Sequence, residues 1–170
     1  MPHRRHTLRF ALRLGALVVL AVVAFGLVWF QPQKLFIDER VDEPVPIAGA
    51  GQSPTTLPAA ATRTLSTAPF RSHEHATRGR ARVIDVGGTR YVRFEAFSTS
   101  NGPLLKVYLS AAPADGPAGT FDDHFVDLGG LKGNIGDQNY AIPDSVDLRA
   151  YRSVVVWCKR FGVPFAAARI

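Results

Sequence analysis

The 170-residue sequence carries 20 lysine and arginine residues against 14 aspartate and glutamate residues, which gives a formal net charge of +6. Four of these positive charges are Arg4, Arg5, Arg9 and Arg13, and the other basic residues are dispersed along the chain. A nucleic-acid-binding domain carries a basic stripe on its folded surface, so nucleic acid is excluded as the expected partner. The single cysteine, Cys158, excludes a disulfide within the chain.

The first predicted element is a helix over residues 14–30. This run, LGALVVLAVVAFGLVWF, has no charged residue and as a helix would be roughly 25 Å long, slightly short of a ~30 Å hydrocarbon core. Arg13 can extend along the apolar run, and Trp29 and Phe30 fall where aromatic side chains favour the membrane interface. We therefore expect a single-pass transmembrane helix that contacts the lipid bilayer through residues 14–30.

A cleaved secretory signal peptide is the alternative interpretation of this run. Such a peptide ends in small residues of the A-x-A type. Here the run ends in Leu27, Val28, Trp29 and Phe30, which favours an uncleaved signal anchor. Because basic residues stay on the cytoplasmic side, we expect residues 1–13 to be cytoplasmic. The remainder is then expected to be extracytoplasmic, at the cell membrane.

Residues 31–69 are predicted to form a flexible linker. Proline, alanine, threonine and serine dominate this stretch, and it has neither a helical nor a strand period. A segment of this composition buries too little apolar surface to offset the entropy of ordering it.

Residues 70–170 are predicted to form an all-β domain, an antiparallel sandwich or barrel. ARVIDVGGTRYVRFEAF is typical of a hairpin turning at Gly87-Gly88, and Asn101-Gly102-Pro103 marks the next turn. Later strands are predicted at 125–128, 140–142, 154–157 and 164–168. The expected core residues are Phe94, Phe97, Leu105, Val107, Leu109, Val154, Val156, Trp157, Phe161 and Phe165.

Three blocks of this domain resemble a known family. FEAFSTSNGPLLKVYLS, LGGLKGNIGDQNYAIP and VVVWCKRFGVPFAAA occur in the order and spacing of the DM-thirteen domain, also called the electron-transfer DM domain. FRSHEHATRGRARV is similar to the family opening, with His75 at its frequent histidine. The resemblance implies a β-sandwich-like domain with a nearly universal cysteine, here Cys158. It also implies a redox or electron-transfer role at cell surfaces. In Skeletor-like animal proteins, the family's domain occurs beside haem-binding DOMON domains. This chain has no DOMON-like region, so its redox partner would be a separate protein.

Cys158 is the candidate catalytic residue, as a redox thiol. Lys159 and Arg160 adjoin it and would favour a thiolate if they face it. The alternative is a small buried hydrophobic residue, which is common for a free cysteine. On a strand, Val154, Val156 and Cys158 would share one face and Trp157 would take the other.

Cys158 and His75 form a candidate metal-ligand pair, with haem or copper as the possible cofactor. His73 shares a face with His75 if the segment is extended, and Asp122, Asp123 and His124 could complete a site. The alternative, which the sequence favours, is that these are exposed polar residues without a metal. No spacing matches a zinc signature, and no CxxCH motif for covalent haem attachment is present.

Two functions follow from these observations. The first is a membrane-anchored extracytoplasmic domain with a redox or electron-transfer role centred on Cys158. The second is a non-catalytic cell-surface binding module in which the cysteine is structural.

Overall fold

The computed structural model describes residues 3–30, 37–47 and 62–170, and within the helix it describes the side chains of residues 13–29. One helix, α1 (His3–Phe30), precedes nine strands. The strands are β1 (Thr62–Pro69), β2 (Arg71–Ser72), β3 (Arg78–Val86), β4 (Thr89–Ser98), β5 (Leu105–Ser110), β6 (Phe125–Gly130), β7 (Ile135–Ile142), β8 (Ser153–Cys158) and β9 (Val163–Arg169).

The strands form two antiparallel sheets. One has the order β1-β3-β4-β7 and the other has the order β2-β9-β8-β5-β6. The hairpin between β3 and β4 turns at Gly87 and Gly88, whose φ angles of 61° and 90° are open to glycine but strained for other residues. The predicted β-sandwich is therefore confirmed, and so is the position of its first hairpin.

The hydrophobic core lies between the two sheets. The four-stranded sheet supplies Val83, Val92, Phe94 and Tyr140, and the five-stranded sheet supplies buried side chains including Val107, Leu109, Val154, Val156, Cys158 and Phe165. Nine of the ten predicted core residues are buried. The prediction for Phe161 was wrong, because this residue lies in the turn between β8 and β9, where its side chain is 58% exposed.

A second cluster covers the outer face of the five-stranded sheet. Val155, Trp157 and Ala167 point away from the main core and pack with Tyr108 and Phe121. Alternation along β8 explains this division, since successive side chains of a strand point to opposite faces. The predicted placement of Trp157 opposite Cys158 is confirmed.

Part of the predicted linker is ordered structure, so the flexible-linker prediction over 31–69 was wrong for these residues. β1 pairs with β3 from Thr62 to Pro69, with one shift in register between Thr64 and Ser66, and residues 37–47 run beside β7. In the latter, the Val41 amide donates to the Ile135 carbonyl and the Glu43 amide donates to the Asp137 carbonyl, both at 2.9 Å. Backbone hydrogen bonds, which leave no hydrophobic pattern in the sequence, contribute to holding both segments.

The predicted apolar run forms a helix, since α1 extends from His3 to Phe30. Among the residues described, no helix is long and apolar enough to cross a membrane. The structure therefore confirms the helix but does not support its transmembrane character.

The rest of the predicted linker, residues 31–36 and 48–61, lies outside the described residues.

Candidate redox site

Cys158 is the last residue of β8, at one end of the sandwich. It lies opposite Leu105 of β5 and Val163 of β9. The flanking turn is fixed by the Cys158 carbonyl, which accepts hydrogen bonds from the Phe161 amide at 3.3 Å and from the Gly162 amide at 2.9 Å. The thiol is therefore held by strands on both sides and by a tight turn beyond it.

The thiol is fully buried beneath a short loop. Its Sγ donates a hydrogen bond to the Pro103 carbonyl oxygen at 3.3 Å. We call residues 101–104 the covering loop. Its end is tied to the turn after β8, because the Lys159 amide donates to the Leu104 carbonyl at 3.2 Å. The covering loop therefore contacts the sulfur and is bonded to the turn that follows it.

The covering loop carries two local constraints. Leu104 has a φ of 59°, a left-handed conformation that costs a non-glycine residue on the order of 1–2 kcal/mol. Gly102 is packed so closely that a Cβ added there would lie 2.8 Å from Cζ of Phe165. The backbone at Leu104 is therefore strained, and Gly102 is fitted closely against Phe165.

The two cations next to Cys158 in sequence do not contact its thiol. Lys159 is exposed, and the Arg160 guanidinium lies 4.6 Å from the centre of the Trp29 ring of α1. Nε and one terminal nitrogen of Arg160 are buried without a hydrogen-bond partner in the described structure. Lys159 and Arg160, the two residues that suggested a thiolate, therefore do not face the sulfur.

His75 lies on Phe165, which also belongs to the core cluster around Cys158. The two rings stack with centroids 3.7 Å apart, and Nδ1 of His75 is 2.6 Å from the Ser100 hydroxyl. Burial lowers the pKa of His75, and the Glu74 carboxylate only partly opposes this shift. The imidazole therefore favours its neutral form, with one ring nitrogen bonded to Ser100.

The remaining candidate ligands are dispersed. Residues 73–75 form a bend rather than a strand, and Nε2 of His73 is 2.9 Å from the Ala114 carbonyl oxygen. His124 stacks on Tyr151. In the described ranges, no three His, Cys, Asp or Glu side chains lie together in a group that could hold a metal ion. The structure therefore gives no support there to a metal site that combines His73, His75 and His124.

A haem or copper ion ligated by Cys158 does not fit this conformation. The sulfur is bonded to a backbone carbonyl and is covered by packed side chains. The neighbouring cavity has a volume of about 270 Å³ and is lined by Gly102, Leu104, Leu105 and Arg160, among others, but not by Cys158. This volume is below the roughly 300–1,000 Å³ of typical small-molecule sites. No hydrogen bond in the described structure joins His75 to Cys158.

The sequence indicated a turn at Asn101-Gly102-Pro103 but not that this turn covers the cysteine. The turn lies over the cysteine because β5, which follows the turn, pairs with β8 so that Leu105 lies opposite Cys158. Pairing of strands about 50 residues apart along the chain has no local signal. The Asn101 amide group also donates to the Ile37 carbonyl at 3.0 Å, which connects the covering loop to the segment before the sandwich.

One of three comparisons with known proteins identifies a family. Residues 69–170 match the family described as Electron transfer DM13. No curated protein and no solved structure matches the chain. Since the match covers more than half of the sequence and the whole segment from the end of β1 to β9, the chain belongs to the Electron transfer DM13 family.

Proposed function

We propose that this protein is an electron-transfer module in which Cys158 is the redox group. The family description supports the electron-transfer role. The observation that carries the assignment to Cys158 is its position: the chain's only thiol lies at the end of a strand, beneath a four-residue loop, rather than in the middle of a sheet. One local movement of the covering loop would expose it.

The proposed chemistry is thiol–disulfide exchange with a separate partner that carries a disulfide. Cys158 loses its proton and its sulfur attacks one sulfur of the partner. The new S–S bond forms as the partner's S–S bond breaks, and the second partner sulfur leaves with the electron pair and takes up a proton. Cys158 is oxidised and the partner's leaving sulfur is reduced, so no metal is needed in this step.

We further propose that α1 holds the sandwich at the cell membrane, with residues 1–13 cytoplasmic and the sandwich outside. The uncharged run over 14–30 and the arginines before it support this orientation. So does the exposure of apolar side chains around α1, which the sandwich leaves uncovered, including Leu17, Leu20, Val22, Phe25 and Val28. A carboxyl-terminal tag should be labelled on intact cells, and labelling only after lysis would contradict the orientation.

Opening of the covering loop can be tested by the rate at which a thiol reagent labels Cys158 in the full chain under native conditions. Gly102→Ala places a Cβ against Phe165 and should push the loop away from the core. Labelling should then be at least about tenfold faster than in the unmodified chain, because local opening needs less free energy than global unfolding.

Gly88→Ala is the matched control for this measurement. Gly88 has a φ of 90° and open space around it, so alanine strains the β3–β4 turn without touching the covering loop. It should destabilise the fold by about 1–2 kcal/mol. If the two variants are equally destabilised and label equally fast, labelling proceeds through global unfolding and the proposed loop movement is excluded.

A non-catalytic surface-binding module is the second candidate. The complete burial of Cys158 and its hydrogen bond to Pro103 favour this alternative, because both are expected of a structural residue. In that case Cys158→Ala should change the stability of the sandwich while leaving its binding to cell surfaces unchanged. Loss of electron transfer at unchanged stability would instead support the redox function.

A further inference from the structure

Three arginine side chains surround one cavity at the end of the sandwich opposite Cys158. The cavity has a volume of about 520 Å³ and is lined by Arg71 of β2, Arg152 before β8 and Arg169 of β9. The six residues of β8 separate Arg152 from the thiol end, a distance of roughly 20 Å. This cavity, which we call the arginine pocket, is therefore separate from the candidate redox site.

The sheet register brings two of these arginines to the same face. Arg71 pairs with Ala167, and Arg169 lies two residues further along β9. Residues two apart on a strand share a face, and diagonal neighbours of this kind lie roughly 7–8 Å apart. Two positive charges at this separation repel each other, so an anion between them would be favourable.

The positive charge of the arginine pocket is largely unbalanced. Within the described part of the chain, no carboxylate forms an ion pair with Arg71, Arg152 or Arg169, although most other arginines of the sandwich have one. Asp115 is the one acidic residue of the lining, which leaves a formal charge of +2. An anion with two negative charges would neutralise this formal charge.

Hydrogen bonds hold the loop that forms one wall of the arginine pocket. Ala114 accepts a hydrogen bond at its carbonyl from His73 at 2.9 Å, and the Ala112 carbonyl accepts one from the buried Ser153 hydroxyl at 2.7 Å. Pro69 and Pro113 add an apolar surface beside the arginines. A cavity of this volume is within the range of small-molecule sites.

We propose that the arginine pocket binds a small organic phosphate monoester. The guanidinium groups would bind the phosphate oxygens, since arginine donates paired hydrogen bonds to phosphate in a fixed geometry. The proline and alanine walls would contact an apolar body attached to the ester oxygen. A phosphate monoester carries close to two negative charges at neutral pH, which matches the charge of the lining.

The test is calorimetric titration of the full chain, kept in solution by an uncharged maltoside detergent, with phenyl phosphate as the probe. At about 50 mM salt we expect a Kd below about 1 mM, which weakens as salt rises. Benzoate, with one charge, should bind at least about fivefold more weakly, and phenol should not bind. Equal binding of benzoate and phenyl phosphate would overturn the assignment to a dianion.

Arginine variants locate the site. R71Q and R169Q should each weaken phenyl phosphate binding about tenfold, which is the loss expected from one charge-assisted contact. R63Q is the control, because Arg63 is also exposed but lies at the other end of β1. The affinity of this variant should stay within about twofold of that of the unmodified chain. All three changes are at the surface, so their melting temperatures should agree. Absence of binding at about 10 mM probe, or equal affinity in R169Q and R63Q, would overturn the proposal.

Discussion

The fold strongly changes the acid–base chemistry of Tyr140. Its hydroxyl donates to Oε1 of Gln138 at 2.6 Å and accepts from the Lys132 amide at 3.1 Å, and the ring is buried in the core. Burial raises the pKa of Tyr140 strongly, the Lys132 amide opposes this shift, and the Glu43 carboxylate adds to it. The folded protein therefore retains a proton that an unfolded chain loses near pH 10.

Stability should consequently fall at alkaline pH because of Tyr140. A group with a raised folded pKa stabilises the fold fully below its unfolded pKa, and that contribution is lost as pH rises above about 10. Tyr140→Phe should lose this pH dependence. It should also cost about 1–3 kcal/mol at neutral pH, because Lys132 and Gln138 lose a buried partner. The measurement is the free energy of unfolding in urea from pH 7 to 11.

Comparison of the unmodified chain with Tyr140→Phe isolates the effect of Tyr140. Burial also raises the pKa of Tyr108, but Tyr108 is present in both proteins. If the unmodified chain and Tyr140→Phe lose stability in parallel above pH 10, the assignment to Tyr140 is wrong.

At the scale of elements, residues 37–47 act as an additional extended segment beside β7. Lys132 and Glu43 form an ion pair at 2.6 Å, and the Asn139 amide donates to the other Glu43 oxygen at 2.7 Å. Burial alone would raise the pKa of Glu43, but these partners outweigh it and lower the pKa. Asn134 accepts a hydrogen bond from the Glu39 amide at 2.7 Å.

Glycine at position 133 permits this docking. A Cβ there would overlap the Glu39 carbonyl oxygen, and Gly133 has no unusual φ angle. Gly133→Ala should therefore release residues 37–47 without straining the β-sandwich backbone. Hydrogen exchange should show loss of protection at the Val41 and Glu43 amides, which bond to Ile135 and Asp137.

Gly130→Ala is the control for this prediction. An added Cβ at Gly130 meets only the Leu105 carbonyl oxygen, at 4.0 Å. Protection of Val41 and Glu43 should persist in this variant. Retained protection in Gly133→Ala would show that the close approach of Glu39 does not hold the segment.

The strands with alternating apolar residues and glycine turns could be predicted from the sequence. β3, β4 and β5 have this pattern, because each has one face in the core. β1 and residues 37–47 could not be predicted in this way. β1 is mostly exposed and is held by backbone pairing, and residues 37–47 depend on polar partners about 95 residues away along the chain.

Only part of the candidate site could be predicted from the sequence. The side of β8 on which Cys158 lies follows from strand alternation. The covering loop could not be predicted, because it depends on which strand pairs with β8. The alignment of His73 with His75 required an extended segment, but residues 73–75 form a bend, and the His73 amide donates to the Phe165 carbonyl at 3.0 Å.

For the whole molecule, the thiol and the arginine pocket lie at opposite ends of the sandwich. The thiol end is also the end near α1, since Arg160, in the turn after Cys158, stacks on Trp29. In the proposed orientation, Cys158 faces the membrane side and the arginine pocket faces away from it. A redox partner would then approach Cys158 close to the bilayer, while a phosphate ester would enter from the far end.

The central claim is that Cys158 exchanges electrons in the folded protein. Incubation of the full native chain with glutathione disulfide, followed by mass spectrometry, tests it most directly. We expect one glutathione adduct at Cys158, which should form much faster than the chain unfolds globally. The adduct should form faster still in Gly102→Ala and should be absent in Cys158→Ser. A thiol that forms no adduct until the chain is unfolded by denaturant would contradict the account.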